Sequence, residues 1–179
     1  MAVFLGEHVW AWGLLLIALT IFVHSLGVVA IALPGLKLRN WLERRRLRPL
    51  SAFPVVVGFI AAVGMILAAL HGIEAAIWAA AYLWSGALNS FSDALFWSVD
   101  SMTTRGESGM TLAKHLQMLG ALEAIDGMLL FGISTAFIFA AMQAFWPLLL
   151  GRSDGGLRAS GVGSGPENAA RPIEKAIMT

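Results

Sequence analysis

Three groups of residues in this chain have types and spacings that could do chemistry. His71 and Glu74 stand three apart, so on a helix they share one face, where an imidazole and a carboxylate can hold a metal ion or pass a proton. Two donors do not complete a metal site, and structural pairing is the plainer reading. Glu123 and Asp126 have the same spacing, but they make an acid–base pair only with a nucleophile or base beside them. His24 stands alone in an apolar run, and a hydrogen bond from its imidazole to a neighbouring helix accounts for it. The third group is the stretch SMTTRGESGM, Ser101 to Met110, whose hydroxyls, charges and glycines are too irregular for a spanning helix. It lies between two long apolar segments. A polar turn there is either a surface loop or a loop lining a water-filled path, because non-helical backbone survives at membrane depth only where protein or water surrounds it.

The elements that must position these residues are membrane elements. Hydrophobic residues make up 58% of the chain and charged residues 13%, with a mean hydropathy of +0.76, far from the balance of a soluble domain. The chain has no cysteine, which excludes disulfides and thiolate metal sites. A net charge of +1 identifies no acidic partner. The N-terminus lacks the basic region of a signal peptide, so the first apolar run reads as a retained helix.

In order, residues 1–35 read as an N-terminal transmembrane helix, apolar from Trp10 to Leu33 and ended by Pro34-Gly35. Residues 36–52 form a basic loop in which Lys37, Arg39, Arg44, Arg45, Arg46 and Arg48 face only Glu43. Such a cluster marks the cytoplasmic side and places the N-terminus outside; it is a topology marker rather than a nucleic-acid site. Leu38, Trp41, Leu42 and Leu47 interleave with the charges and suit a short interfacial helix. The second span, Phe53 to Trp84, would be about 48 Å long and must tilt, protrude or bend near His71-Gly72. Trp78, Tyr82 and Trp84 suit an outer aromatic belt.

Asn89-Ser90 with Asp93 is a helix start. The helix it opens, Phe91 to Met102, is about 18 Å long, too short to cross a bilayer. Leu95, Phe96, Val99 and Met102 form its apolar stripe, so it dips into the membrane and returns through the polar stretch. Lys114, His115 and Gln117 mark the return to the surface. The third span runs from Leu116 to Trp146 and ends at Pro147, with Glu123 and Asp126 in its outer half, lining a vestibule or bonded to the loop. Residues 148–179 read as a disordered cytoplasmic tail, rich in Gly and Ser and with mixed charge.

In this order of elements, FSDALFWSVDSMTT followed by LGALEAIDGMLLFGISTAFIF resembles the pore domain of the potassium channel family, particularly small prokaryotic two-helix-pore members. The resemblance covers about Leu83 to Met142. It implies a pore domain over 53–147: outer helix 53–84, pore helix 91–102, filter-like turn 103–109 and inner helix 116–146. It further implies a homotetramer whose four short helices aim their C-termini at a central cavity, with Gly132 or Gly127 as the flexible point of the inner helix. The family filter, Thr-Val-Gly-Tyr-Gly, presents carbonyls in place of the ion's hydration shell. Its positions fall here on Thr104, Arg105, Gly106, Glu107 and Ser108, preceded by Thr103 and followed by Gly109 where an acid usually stands. Thr103, Thr104 and Gly106 match. Arg105 would repel cations at the axis and take the place of the ion at the helix C-termini, with Glu107 as its partner.

The expected fold is therefore an all-α integral membrane protein with three transmembrane helices, a re-entrant pore helix and a pore loop, assembled as a tetramer. The expected function is mediating or regulating ion permeation with altered or lost potassium selectivity. The alternative is a non-conducting regulatory or structural subunit that retains the channel architecture. A third reading, a membrane enzyme using His24, His71, Glu74, Glu123 and Asp126 around a metal, requires those residues to converge. No enzymatic activity, cofactor, resident metal or nucleic-acid partner is expected. The expected partners are the lipid bilayer, further copies of the chain and monovalent ions, in a bacterial inner membrane with the N-terminus outside and the C-terminus cytoplasmic.

Overall fold

The computed structural model describes residues 8–45, 49–106 and 109–150, and every regular element among them is helical. These are α1 (Val9–Arg45), α2 (Pro49–Trp84), α3 (Phe91–Met102), a 3-10 turn (Lys114–Leu116) and α4 (Gln117–Leu149). α1, α2 and α4 have 37, 36 and 33 residues, about 50–56 Å at 1.5 Å per residue. All three are long and apolar enough to cross a membrane. α3, with 12 residues, is not.

Pro34-Gly35 does not end the first helix. α1 continues to Arg45 and takes in Lys37, Arg39, Arg44 and Arg45, which the sequence suggested were loop residues. Proline removes one backbone donor, but a spanning helix tolerates it where neighbouring packing holds the backbone in place. Gly35 is a contact point: a Cβ there would come within 2.8 Å of Phe59 Cζ on α2. Arg39 bonds Glu43 one turn later at 2.8 Å, a helix-period pair. Residues 46–48, Glu107 and Ser108 of the filter-like turn, and the tail from 151 lie outside the described residues.

The buried line of α1 is Gly13, Thr20, His24, Ile31, Gly35 and Leu42. Gly13, His24 and Gly35 recur every eleven residues, as do Thr20, Ile31 and Leu42. Eleven residues in three turns is about 3.67 per turn, close enough to the helical period to keep the line on one side. That side fits between α2 and α4. Gly27 faces Leu70 of α2 and Gly13 faces Leu122 of α4, so small residues let the helices approach closely. α1 runs antiparallel to α2 and parallel to α4.

α3 packs against both α2 and α4. It buries Ala94, Ser98 and Asp100, while Phe96 and Val99 of the expected apolar stripe are 48% and 46% exposed. The small side chains allow the short helix to sit close to its neighbours. At its end Gly127 of α4 presses on the backbone: a Cβ would collide with the Met102 carbonyl oxygen and lie 2.7 Å from the Met102 Cα. Gly132 meets nothing within 4 Å of its Cβ position. The aromatic belt is also revised. Trp78 and Tyr82 are fully buried and only Trp84 is exposed, with Trp84 edge-on to Trp12 at 5.2 Å.

Gly127→Ala should therefore lower stability by about 1–3 kcal/mol through overpacking against a backbone that cannot rotate away. Gly132→Ala should change it little. Denaturation midpoints of the two purified variants test this, and equal midpoints would refute the contact.

Candidate functional site

α3 is capped at both ends by local chemistry. Ser90 caps the start, its hydroxyl accepting from the Asp93 amide, and Asp93 places a carboxylate in the first turn, where the helix dipole favours it. At the other end the Arg105 amide donates to the Asp100 carbonyl at 3.0 Å and the Thr104 amide to that of Ser101 at 2.9 Å. These two bonds make a Schellman closure with Thr104 at the left-handed position, φ 56°. α2 ends the same way, through Ala87 to Tyr82 and Gly86 to Leu83, but there the left-handed residue is Gly86, φ 72°. A β-branched residue in that region is strained, by roughly 1–3 kcal/mol. Gly106 and Gly109 continue the turn at φ 66° and 70°.

Arg105 folds back along α3. Its Nε donates to Asp100 Oδ1 at 2.9 Å, and its guanidinium carbon lies 5.8 Å from the Phe96 ring centre. Sequence reading paired Arg105 with Glu107; the structure provides Asp100, five residues earlier and 5% exposed, as a partner. Beside this turn lies a groove of about 720 Å³ between α2, α3 and α4. Val99, Thr103 and Thr104 line it from α3 and its turn, His71 and Gly72 from α2, and Gly127 and Phe131 from α4.

Behind the groove the three long helices are joined by buried polar contacts. Tyr82 donates to Glu123 Oε2 at 2.6 Å, and Ser98 of α3 donates to Glu123 Oε1. Trp78 Nε1 donates to Asp126 Oδ2 at 2.8 Å, and Thr20 of α1 donates to the same oxygen at 2.7 Å. His24 Nδ1 lies 2.8 Å from Glu74 Oε1, and His71 Nδ1 lies 3.0 Å from Glu74 Oε2. Both imidazoles turn their Nε2 to the Ser134 hydroxyl at 3.1 Å. Down α2 the residues Tyr82, Trp78 and His71 thus meet Glu123, Asp126 and Ser134 up α4, an antiparallel ladder of three rungs.

Of the five residues that a metal-dependent enzyme would have needed together, His24, His71 and Glu74 converge. Glu123 and Asp126 are held by hydroxyl and indole donors of neighbouring helices, and the 0% exposure of both gives no vestibule-lining position. The residues that sequence reasoning passed over are the neutral donors: Thr20, Trp78, Tyr82, Ser98 and Ser134. A signal for them existed. Glu74, Trp78 and Tyr82 recur every fourth residue, as do Thr20 and His24, so each set shares a helix face. Comparison of the chain with protein-family models, with curated proteins and with solved structures gives no match in any of the three.

Two outcomes are expected of this geometry. Thr104→Gly should raise stability by about 1 kcal/mol or more, since glycine adopts the left-handed closure without strain; an unchanged or lower midpoint would remove the strain from the account. Tyr82→Phe should cost about 1–3 kcal/mol by leaving Glu123 short of a donor. Adding Glu123→Leu should then cost less than it does alone, and strict additivity in that double-mutant cycle would show that the rung is not energetically coupled.

Proposed function

We propose that this chain is a potassium-channel-like membrane protein that mediates or regulates ion permeation, with altered or lost potassium selectivity, as a homotetramer. The observation that carries the reading is α3. A 12-residue helix that cannot span a bilayer is wedged between two helices that can, and its C-terminus opens into a glycine-punctuated turn beside a groove. That is the order and packing a re-entrant pore helix needs. Apolar side chains left uncovered near the groove, including Met128 at 57% and Phe131 at 68% exposure, provide a surface for further copies or lipid. Gly132, with open space around it, remains the candidate flexible point of the inner helix.

The closed turn favours lost potassium selectivity. A carbonyl stack needs successive filter oxygens aimed at one axis, whereas Thr104, at the first filter position, closes the end of α3 in the left-handed region and Arg105, at the second, folds back onto Asp100. The Asp100–Arg105 pair braces the same turn. It also supports a second reading, a non-conducting regulatory or structural subunit that keeps the channel architecture.

Ion flux into liposomes containing the purified protein, under potassium, sodium and chloride gradients, separates these readings. Non-selective or chloride flux is the expected result for a repurposed pore. Potassium-selective flux would disprove the loss of selectivity. Silence from folded, tetrameric protein would transfer the assignment to the regulatory subunit. The variant combining Arg105→Val, Glu107→Tyr and Ser108→Gly moves the turn toward the family pattern, and potassium flux gained by it would identify the turn as the block.

A further inference from the structure

Glu74 is a fully buried carboxylate within a membrane-length helix, and only one of its oxygens is well served. Oε1 has the His24 imidazole at 2.8 Å in hydrogen-bonding geometry. Oε2 has no hydrogen-bond donor, although His71 Nδ1 is only 3.0 Å away. A ring nitrogen and a carboxylate oxygen at that separation, with no hydrogen in line, are held together by positive charge, either on the imidazole itself or on a cation that both can bind. A proton shared by His24 and Glu74 serves Oε1 and leaves Oε2 unserved.

The surrounding charges pose the same problem. Asp126 is also fully buried, with Oδ1 unpartnered, and is within Coulombic range of Glu74 and His24. No Lys or Arg is buried among the described residues. Two carboxylates in hydrocarbon without a cation are costly.

We propose that His24, His71 and Glu74 bind a divalent transition-metal ion of the zinc class. Their donor atoms lie within 4.8 Å of one another, and two imidazoles with one carboxylate are a donor set that suits such ions. Bonds of about 2.0–2.1 Å put the ligand atoms of a tetrahedral ion about 3.3 Å apart. His24 Nδ1 lies 2.8 Å from Glu74 Oε1 and His71 Nδ1 lies 3.0 Å from Glu74 Oε2, so the two imidazoles flank one carboxylate. Bringing one donor of each residue from within 4.8 Å to that spacing takes a side-chain adjustment. Ser134 acts as the supporting group. Its oxygen has two lone pairs and lies 3.1 Å from both Nε2 atoms, so it accepts from both and leaves each Nδ1 lone pair for the metal. A dication with two neutral imidazoles offsets the nearby carboxylates Glu74 and Asp126, while Glu123 has its own donors in Tyr82 and Ser98. His71 is one-quarter exposed and lines the groove, which provides the route of entry.

This inference does not depend on the permeation reading, and its test needs no flux. The chain contains four histidines, so the tag-free full chain carrying His8→Ala and His115→Ala keeps only His24 and His71. Titration of this protein in detergent with zinc, followed by calorimetry, should show one ion per chain. Cobalt(II) should give the absorption of a four-coordinate nitrogen- and oxygen-bound ion. Glu74→Gln and His24→Gln should abolish both signals, and Ser134→Ala should weaken binding roughly 10- to 100-fold. X-ray absorption of the zinc-loaded protein should show imidazole scattering, a readout that holds even where a variant fails to fold. No binding, binding unchanged in both ligand variants, or a metal shell without imidazole would each overturn the assignment.

Discussion

A carboxylate carried into the hydrocarbon region must find its donors within the protein, because no water is there to supply them. Among the described residues, the helices long and apolar enough to span a membrane carry three that are fully buried: Glu74, Glu123 and Asp126. Each finds donors on another helix, and the donors are neutral groups or imidazoles. A slip of either helix by one turn would separate Tyr82 from Glu123 and Trp78 from Asp126 together. Apolar contacts between lipid-like surfaces specify register weakly, so the ladder is what sets how α2 and α4 lie against each other. α1 joins through the same groups, with Thr20 on Asp126 and His24 on Glu74 and Ser134.

The short helix depends on that arrangement. Ser98 of α3 donates to Glu123, the carboxylate that also holds Tyr82. Gly127, one residue beyond Asp126, removes the side chain that would otherwise hold α3 away from α4. With both ends capped and one face pressed onto this framework, the turn at Thr103–Arg105 has little freedom, which is how a left-handed threonine is maintained. The Asp100–Arg105 pair, whose guanidinium side is 55% exposed, adds direction more than energy.

His71 connects the two halves of the site. One imidazole lines the groove beside Thr103 and Thr104 and also contacts Glu74 and Ser134. A ligand in the groove and an ion held by His24, His71 and Glu74 would therefore touch the same side chain.

Sequence alone determines the class and the order of elements. Three apolar runs of spanning length, an intervening segment too short to span, and the Ser90–Asp93 start signal are local properties of composition and periodicity, and they are legible without a fold. Helix ends were less legible: Pro34-Gly35 has the chemistry of a stop, yet packing against Phe59 carries the helix through it. The partners of the charged residues were not legible, since Trp78 and Tyr82 have the composition of an interfacial belt until α4 brings carboxylates to them. His71 and Glu74 show two ligands at helical spacing; the third comes from His24, some fifty residues earlier. Only tertiary structure decides that convergence, because contacts between helices depend on their relative rotation and depth, and a sequence period fixes neither.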